Sequence, residues 1–158
     1  MKVKFILSFL FLVAVLILGG RFLLVGKGDS ELRTPPQALL VRIGETVIEA
    51  EVFSTDEERT QGLSARENLL PDKGALFVFE SLGIYPFWMK DMLFPVDIIW
   101  INADHVVVDI EEDISPSSFP QKFAPSQEVL YAIEVNAGFV TQNGIVQGDL
   151  VKFTGAVD

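Results

Sequence analysis

The sequence predicts a β-rich α+β domain: a compact rolled or barrel-like sheet with two or three short helices, preceded by one N-terminal transmembrane or signal helix. Three observations carry this prediction. Segments such as "ALFVF" (75–79) and "VDIIWI" (96–101) are short, rich in branched and aromatic residues, and apolar on both faces. An open sheet with one wetted face would alternate more cleanly. Glycine, proline and asparagine interrupt the chain at short intervals, which suits hairpins and short helices. Finally, the chain begins "MKVK" and continues with an apolar run from Phe5 to Gly20. Counted through Arg21 to Val25, that run approaches the ~20 residues a helix needs to span a bilayer.

The elements follow in order. Residues 1–25 read as a signal anchor or signal peptide. The small-x-small cleavage pattern is poor in "LILGGRF", which favours an uncleaved anchor. Lys2 and Lys4 favour a cytoplasmic N-terminus, while Arg21 and Lys27 weigh against it. Residues 26–37 include "KGDSELRTPPQ" and read as a linker. The folded domain spans 38–154. "LLVRI" and "VIEAEVF" flank a hairpin turn around Gly44. "STDEERTQGL" predicts a short helix, capped by Ser54 through the Glu57 amide and ended by Gly62. "SARE" at 64–67 repeats the capping-box spacing, so a second helical turn is expected there. "ALFVF" is a strand with Ala75, Phe77 and Phe79 on one face. "VDIIWI" and "HVVVDIEE" form a hairpin through "NAD", and "VLYAIEV" is a further strand. "NAGFVTQNGI" is a short helix with Asn136 as its expected cap, and "QGDLVKF" supplies a turn and the last strand.

Composition excludes several function classes. Lys2, Lys4, Arg21 and Lys27 belong to the anchor region, so the remainder carries eight basic residues against 22 acidic ones, a net of −14. Such a surface is a poor nucleic-acid binder, because phosphate neutralisation needs a basic face. Anionic headgroups would also repel it. The chain has no cysteine, which removes disulfides, thiol nucleophiles and thiolate metal sites.

The densest chemistry lies in "FWMKDMLFPVD", residues 87–97. If 87–90 is extended, Phe87 and Met89 point one way and Trp88 and Lys90 the other. Phe94 precedes Pro95 and is extended too, and Pro95 suits the first position of the following strand. Asp97 then shares a face with Ile99 and Ile101, while Val96, Ile98 and Trp100 take the other. A carboxylate on an apolar face needs a partner; Lys90, Arg59 and Arg66 are the candidates.

At these residues the chain resembles a known family. "EERTQGLSARENL", "KGALFVFE", "FWMKDMLFPVDIIWI", "APSQEVLYAIEVNAGF" and "NGIVQGDLVKF" occur in the order of the domain of unknown function 192 family. The resemblance covers about residues 40–153. Its most specific parts are the Arg59, Gly62, Leu63, Arg66 block and the Phe87–Lys90 to Pro95, Asp97 block. The family usually shows Asn-Thr where this chain has Asp91-Met92. The resemblance implies a β-rich, barrel-like domain, often exported or membrane-anchored in prokaryotes, and no established activity.

Each candidate has a structural reading beside its functional one. His105, the single histidine, could serve a catalytic or metal site only in a partnered pocket; an exposed turn residue is the preferred reading. Asp91 and Asp97 could pair as acid and base; a structural Asp97 and a solvated Asp91 are preferred. "DIEED" (109–113) lacks the glycine of a calcium loop and reads as an acidic strand end. Trp88 is preferred as a core residue, with Lys90 reaching water past it or pairing with Asp97. In the alternative, Trp88 and Tyr85 line a groove that stacks a sugar or peptide, with Lys90 and Arg59 orienting a carboxylate.

The candidate pocket or structural centre is therefore Arg59, Arg66, Trp88, Lys90, Asp97 and Glu134, with no catalytic or metal residue assigned and no cofactor expected. The favoured function is a membrane-tethered, extracytoplasmic, non-catalytic binding or assembly module. It would sit in the cell membrane through the N-terminal helix, or be periplasmic or secreted if the signal is cleaved. Its partner is an envelope component or protein, not nucleic acid. The alternative is a hydrolase-like enzyme with a pocket around Lys90, Asp97 and Glu134.

Overall fold

The computed structural model describes residues 38–155. The expected membrane or signal helix and the linker lie outside the described residues. No helix among the described residues is long and apolar enough to cross a membrane.

Gly44, at φ 58°, turns the chain between β1 (Ala38–Ile43) and β2 (Thr46–Phe53). This left-handed conformation strains a residue carrying a Cβ, so glycine suits the turn. β2 leads into α1 (Asp56–Gln61), whose cap is Thr55 rather than the expected Ser54. The reason is a capping box: Thr55 Oγ1 accepts the Glu58 amide at 3.2 Å, and Glu58 reaches back to the amides of Thr55 and Ser54, each at 2.9 Å. These amides hold the Glu58 carboxyl below its ordinary pKa, Thr55 contributing most. Gly62 ends the helix as expected, its amide bonding the Glu58 carbonyl at 2.7 Å. The second helical turn expected at 64–67 is absent. Ala65 is left-handed (φ 61°), and the Ser64 hydroxyl donates to the Lys90 carbonyl at 3.0 Å instead of capping.

The remaining strands are β3 (Lys73–Gly83), β4 (Val96–Ile101), β5 (Val107–Ile114), β6 (Val129–Asn136) and β7 (Val151–Thr154). A second helix, α2 (Phe139–Asn143), and a 3-10 turn at Pro116–Ser118 complete the elements. The seven strands form one sheet in the order β5-β4-β6-β3-β2-β1-β7. Only β2 and β3 run parallel, so the connection between them must cross over, and it carries α1. The sheet curls into a half-barrel whose two edges meet at one corner. There Val106 bridges Leu150, and Gly148, Asp149 and Val151 exchange backbone hydrogen bonds of 2.8–2.9 Å with His105 and Val107.

Two apolar clusters explain the strands without a wet face. One fills the concave side with Leu39, Val41, Ile48, Leu76, Ile99, Ile133 and Val135, closed by Val140 of α2 and by Ile145. The other covers the outer face of β3, β4 and β6 with Leu63, Met89 and Met92 from the connecting segments, against Phe77, Ile98 and Trp100. β4 is consequently buried at all six positions. Gly74 faces the first cluster at close quarters. A Cβ there would stand 2.9 Å from Ile48 Cγ2, 3.1 Å from the Glu134 carbonyl and 3.2 Å from Ile133 Cδ1. Gly74→Ala should therefore lower the unfolding free energy by ~1–3 kcal/mol, read from urea midpoints.

Candidate functional site

Five of the six candidate residues fall into three separate places, and the sixth, Lys90, is exposed outside them. The first is Asp97, which is fully buried on β4 beside Ile99 and Ile101. Among the described residues no cation pairs with it: Lys90, Arg59 and Arg66, the expected partners, are elsewhere. Asp97 Oδ1 instead accepts the amides of Asp113 at 2.8 Å and Gly138 at 3.1 Å, and Oδ2 accepts the amide of Val140 at 3.0 Å. A bulge makes this possible. Val96 pairs with Ile114 and Ile98 with Glu111, so Glu112 and Asp113 together face Asp97 and leave the ladder. Asp113 is left-handed (φ 54°), and its amide bonds the carboxylate. Asp97 also supplies the cap of α2, whose N-cap Gly138 has no side chain to offer. The expected cap, Asn136, donates instead to the carbonyls of Leu69 (3.0 Å) and Leu70 (3.1 Å).

The second place is a charged row on the outer face. Glu51 of β2 and Glu134 of β6 both pair laterally with the small Ala75 of β3. Arg66 comes from the connection after α1 and meets Glu51 through both guanidinium nitrogens, at 2.6 and 3.0 Å. Its guanidinium also lies 5.7 Å from the Phe53 ring centroid. Glu134 is buried, and its Oε2 has no hydrogen-bond partner among the described residues. Burial raises its pKa from the ordinary 4.5 to about 8, and the nearby Arg66 charge only partly opposes this. Glu51 was not among the sequence candidates. The available signal was the alternation of Glu49 and Glu51 with Ile48, Ala50 and Val52, which puts two carboxylates on one face of β2.

The third place is a groove of about 730 Å³ between α1, the far end of β3 and residues 85–88. Trp88 lines it and is 46% exposed, so its preferred assignment to the core is corrected. The alternation itself holds: Met89 is buried and Phe87 packs with it in the outer cluster, while Trp88 and Lys90 face solvent. The core tryptophan is Trp100, at 1% exposure. Trp88 packs edge-on against Phe119, ring centroids 5.9 Å apart, and the Lys122 ammonium lies 5.5 Å from the Trp88 centroid. Tyr85 stacks on Phe79, with ring centroids 3.6 Å apart, and donates its hydroxyl to the Ser81 carbonyl at 2.7 Å. Arg59 is tied into the wall. It donates to the Val78 carbonyl at 2.8 Å and to the Ser54 carbonyl, and pairs with Asp56 at 2.5 Å. Because Trp88 is half in water, Trp88→Ala should shift the urea midpoint by less than ~1 kcal/mol equivalent.

Lys90, Asp97 and Glu134 do not converge. Lys90 is exposed. Asp97 pairs with Val135 and Ile98 with Glu134, so the two carboxylates point to opposite faces of the sheet. His105 is half-buried rather than exposed. It sits in a left-handed turn (φ 59°), edge-on to Tyr131 and Phe153 at 5.5 and 5.0 Å. Asp91 is exposed and left-handed (φ 56°), a conformation asparagine and aspartate tolerate best after glycine. The described residues contain no group of three or more carboxylates or imidazoles able to hold a metal.

A profile for the DUF192 family (domain of unknown function 192, uncharacterized ACR) matches residues 39–153. The chain belongs to the DUF192 family. Two crystal structures resemble this DUF192 domain. One is a proposed transcription regulator from Sinorhizobium meliloti 1021, 29% identical, with a TM-score of 0.70 over 74% of this chain and 95% of the other. The other is a protein of unknown function from Novosphingobium aromaticivorans DSM 12444, 27% identical, with a TM-score of 0.67 over 73% and 83%. No functionally curated protein matches the chain.

Proposed function

We propose that this DUF192 protein is a non-catalytic binding or assembly module, tethered to the membrane by its N-terminal helix with the domain outside the cytoplasm. The observation that carries the binding part is the open groove lined by the half-exposed Trp88. A large aromatic side chain left in water at a concave surface favours recognition of a partner. The tether rests on the apolar run from Phe5 to Val25. The hydrolase alternative loses its basis, since Lys90, Asp97 and Glu134 share no pocket. A net charge of −10 suits this chain poorly to a phosphate backbone, which weighs against a DNA-binding role.

The full-length protein should stay with membranes after alkaline carbonate washing; recovery in the soluble fraction would overturn the tether. A photo-crosslinking residue in place of the exposed groove residue Thr60, in the full-length protein in its native membranes, should give a discrete adduct with one envelope component. Loss of that adduct on shifting the crosslinker to Glu45 is expected. An equal adduct from both positions, or none from position 60, would refute the groove as the binding surface.

A further inference from the structure

We propose that the Trp88 groove takes an uncharged β-1,4-linked glycan chain, with the flat C–H face of one sugar ring on the indole and its hydroxyls against the polar walls. This rests on the binding reading above and names the chemical class of the partner.

The backbone around Trp88 fixes how its ring is displayed. Phe87 before it exchanges both main-chain hydrogen bonds with Phe123, at 2.7 and 2.9 Å, and Met89 after it is buried. Alternation between these two anchors holds the indole out. It stays 46% exposed although Phe119 and Lys122 both pack near it. The rest of the groove is rigid too. Tyr85 is stacked on Phe79, its hydroxyl is tied to the Ser81 carbonyl, and Arg59 is held by the Val78 carbonyl. A ligand therefore meets a preformed surface, and little ordering cost falls on binding.

The wall charges choose the ligand class. Asp56 and Glu80 are matched by Arg59 and Lys122, so the groove is neutral on balance. A second hollow of about 610 Å³ adjoins it, sharing Asp56, Thr60 and Trp88 and adding Glu57, Lys90 and Asp91. Four carboxylates thus face three cations along the two hollows. Neither sign dominates, so no strongly charged chain is steered in. The walls instead offer hydrogen bonding of both kinds. The exposed Asp56, Glu80 and Asp91 accept, and the exposed Lys90 and Lys122 donate. A hydroxyl does both and can pair with either group. A wholly apolar occupant would cover these groups without pairing them. An equatorially substituted pyranose carries apolar C–H groups on its faces and hydroxyls around its rim. One ring therefore answers both the indole and the walls. Two hollows that meet at Trp88 suit a chain of such rings better than a single one.

An NMR titration of the full-length chain in polyoxyethylene detergent micelles, which carry no sugar, tests this. The probes are the β-1,4-linked tetrasaccharides of glucose and of N-acetylglucosamine. At least one should shift the indole N–H signal of Trp88 and leave that of the buried Trp100 in place. Trp88→Ala should weaken that binding about tenfold or more, while Trp88→Tyr, which keeps a ring, should weaken it less than about threefold. Raising the salt about tenfold should change the affinity less than about twofold, because the ligand is uncharged. Binding of neither probe would overturn the proposal. So would equal binding by Trp88→Ala, or tighter binding of the deacetylated tetrasaccharide, whose ammonium groups would point to charge attraction. The crosslink from position 60 separates this inference from the reading beneath it. Sugar mass on the crosslinked peptide supports both. A protein adduct overturns the glycan and leaves the groove a binding surface. No adduct and no tetrasaccharide binding overturn both.

Discussion

Asp97→Ala should lower the unfolding free energy by ~3–5 kcal/mol, a large part of the ~5–15 kcal/mol that holds a typical domain together. The carboxylate accepts three amides, from Asp113, Gly138 and Val140. Its removal leaves three donors that water reaches poorly, and it uncaps α2. Asp97→Asn keeps the shape and one acceptor oxygen, so it should lose less, about 2 kcal/mol. Both are read from urea unfolding, with the slope unchanged. The effect differs from that of a buried ion pair, because no partner charge is stranded. Adding salt should therefore leave the Asp97→Ala deficit nearly constant.

Glu134 should make stability fall as pH rises. Its pKa stands at about 8 in the folded protein against an ordinary 4.5. The native state thus retains a proton that the unfolded state releases. Stability from this group is fully present below about pH 4.5, declines by ~1.4 kcal/mol per pH unit, and levels off above about pH 8. The integrated effect is ~5 kcal/mol. Glu134→Gln removes the titration and leaves an amide in the same place. Its stability should start at or below that of the wild type at pH 5 and exceed it at pH 9. Parallel stability–pH curves would show that Glu134 is charged throughout. The Arg66 charge opposes the shift, so Arg66→Met should raise the pH at which the decline levels off.

Much of the fold was legible because the β signals are strong and local. The faces of β4 followed from alternation, with Asp97 beside Ile99 and Ile101, and Gly44 and Gly62 marked a turn and a helix end. The site was less legible, for identifiable reasons. Alternation separates Trp88 and Lys90 from Phe87 and Met89 but does not say which pair faces in. That depended on the 85–94 segment lying over the outer face of the sheet, where Met89 joins Trp100 and Phe77. The partners of Asp97 are backbone amides, which carry no side-chain signature. They arrive through a bulge in β5 and the start of α2, far apart in sequence. The row of Glu51, Ala75 and Glu134 depends on the parallel pairing of β2 with β3 and on β6 entering beside β3. Neither is local, so Glu51 was missed although its strand was found.

The proposed recognition at the Trp88 groove, with Asp97 holding the fold, can be read by amide hydrogen exchange of the full-length chain with and without solubilised native envelope extract. Added protection should be confined to residues 78–88 and 119–123, with the amides of Asp113, Gly138 and Val140 unchanged. Protection centred on those three amides, or spread over the opposite side of the sheet at β1 and β7 with none at 78–88, would contradict it.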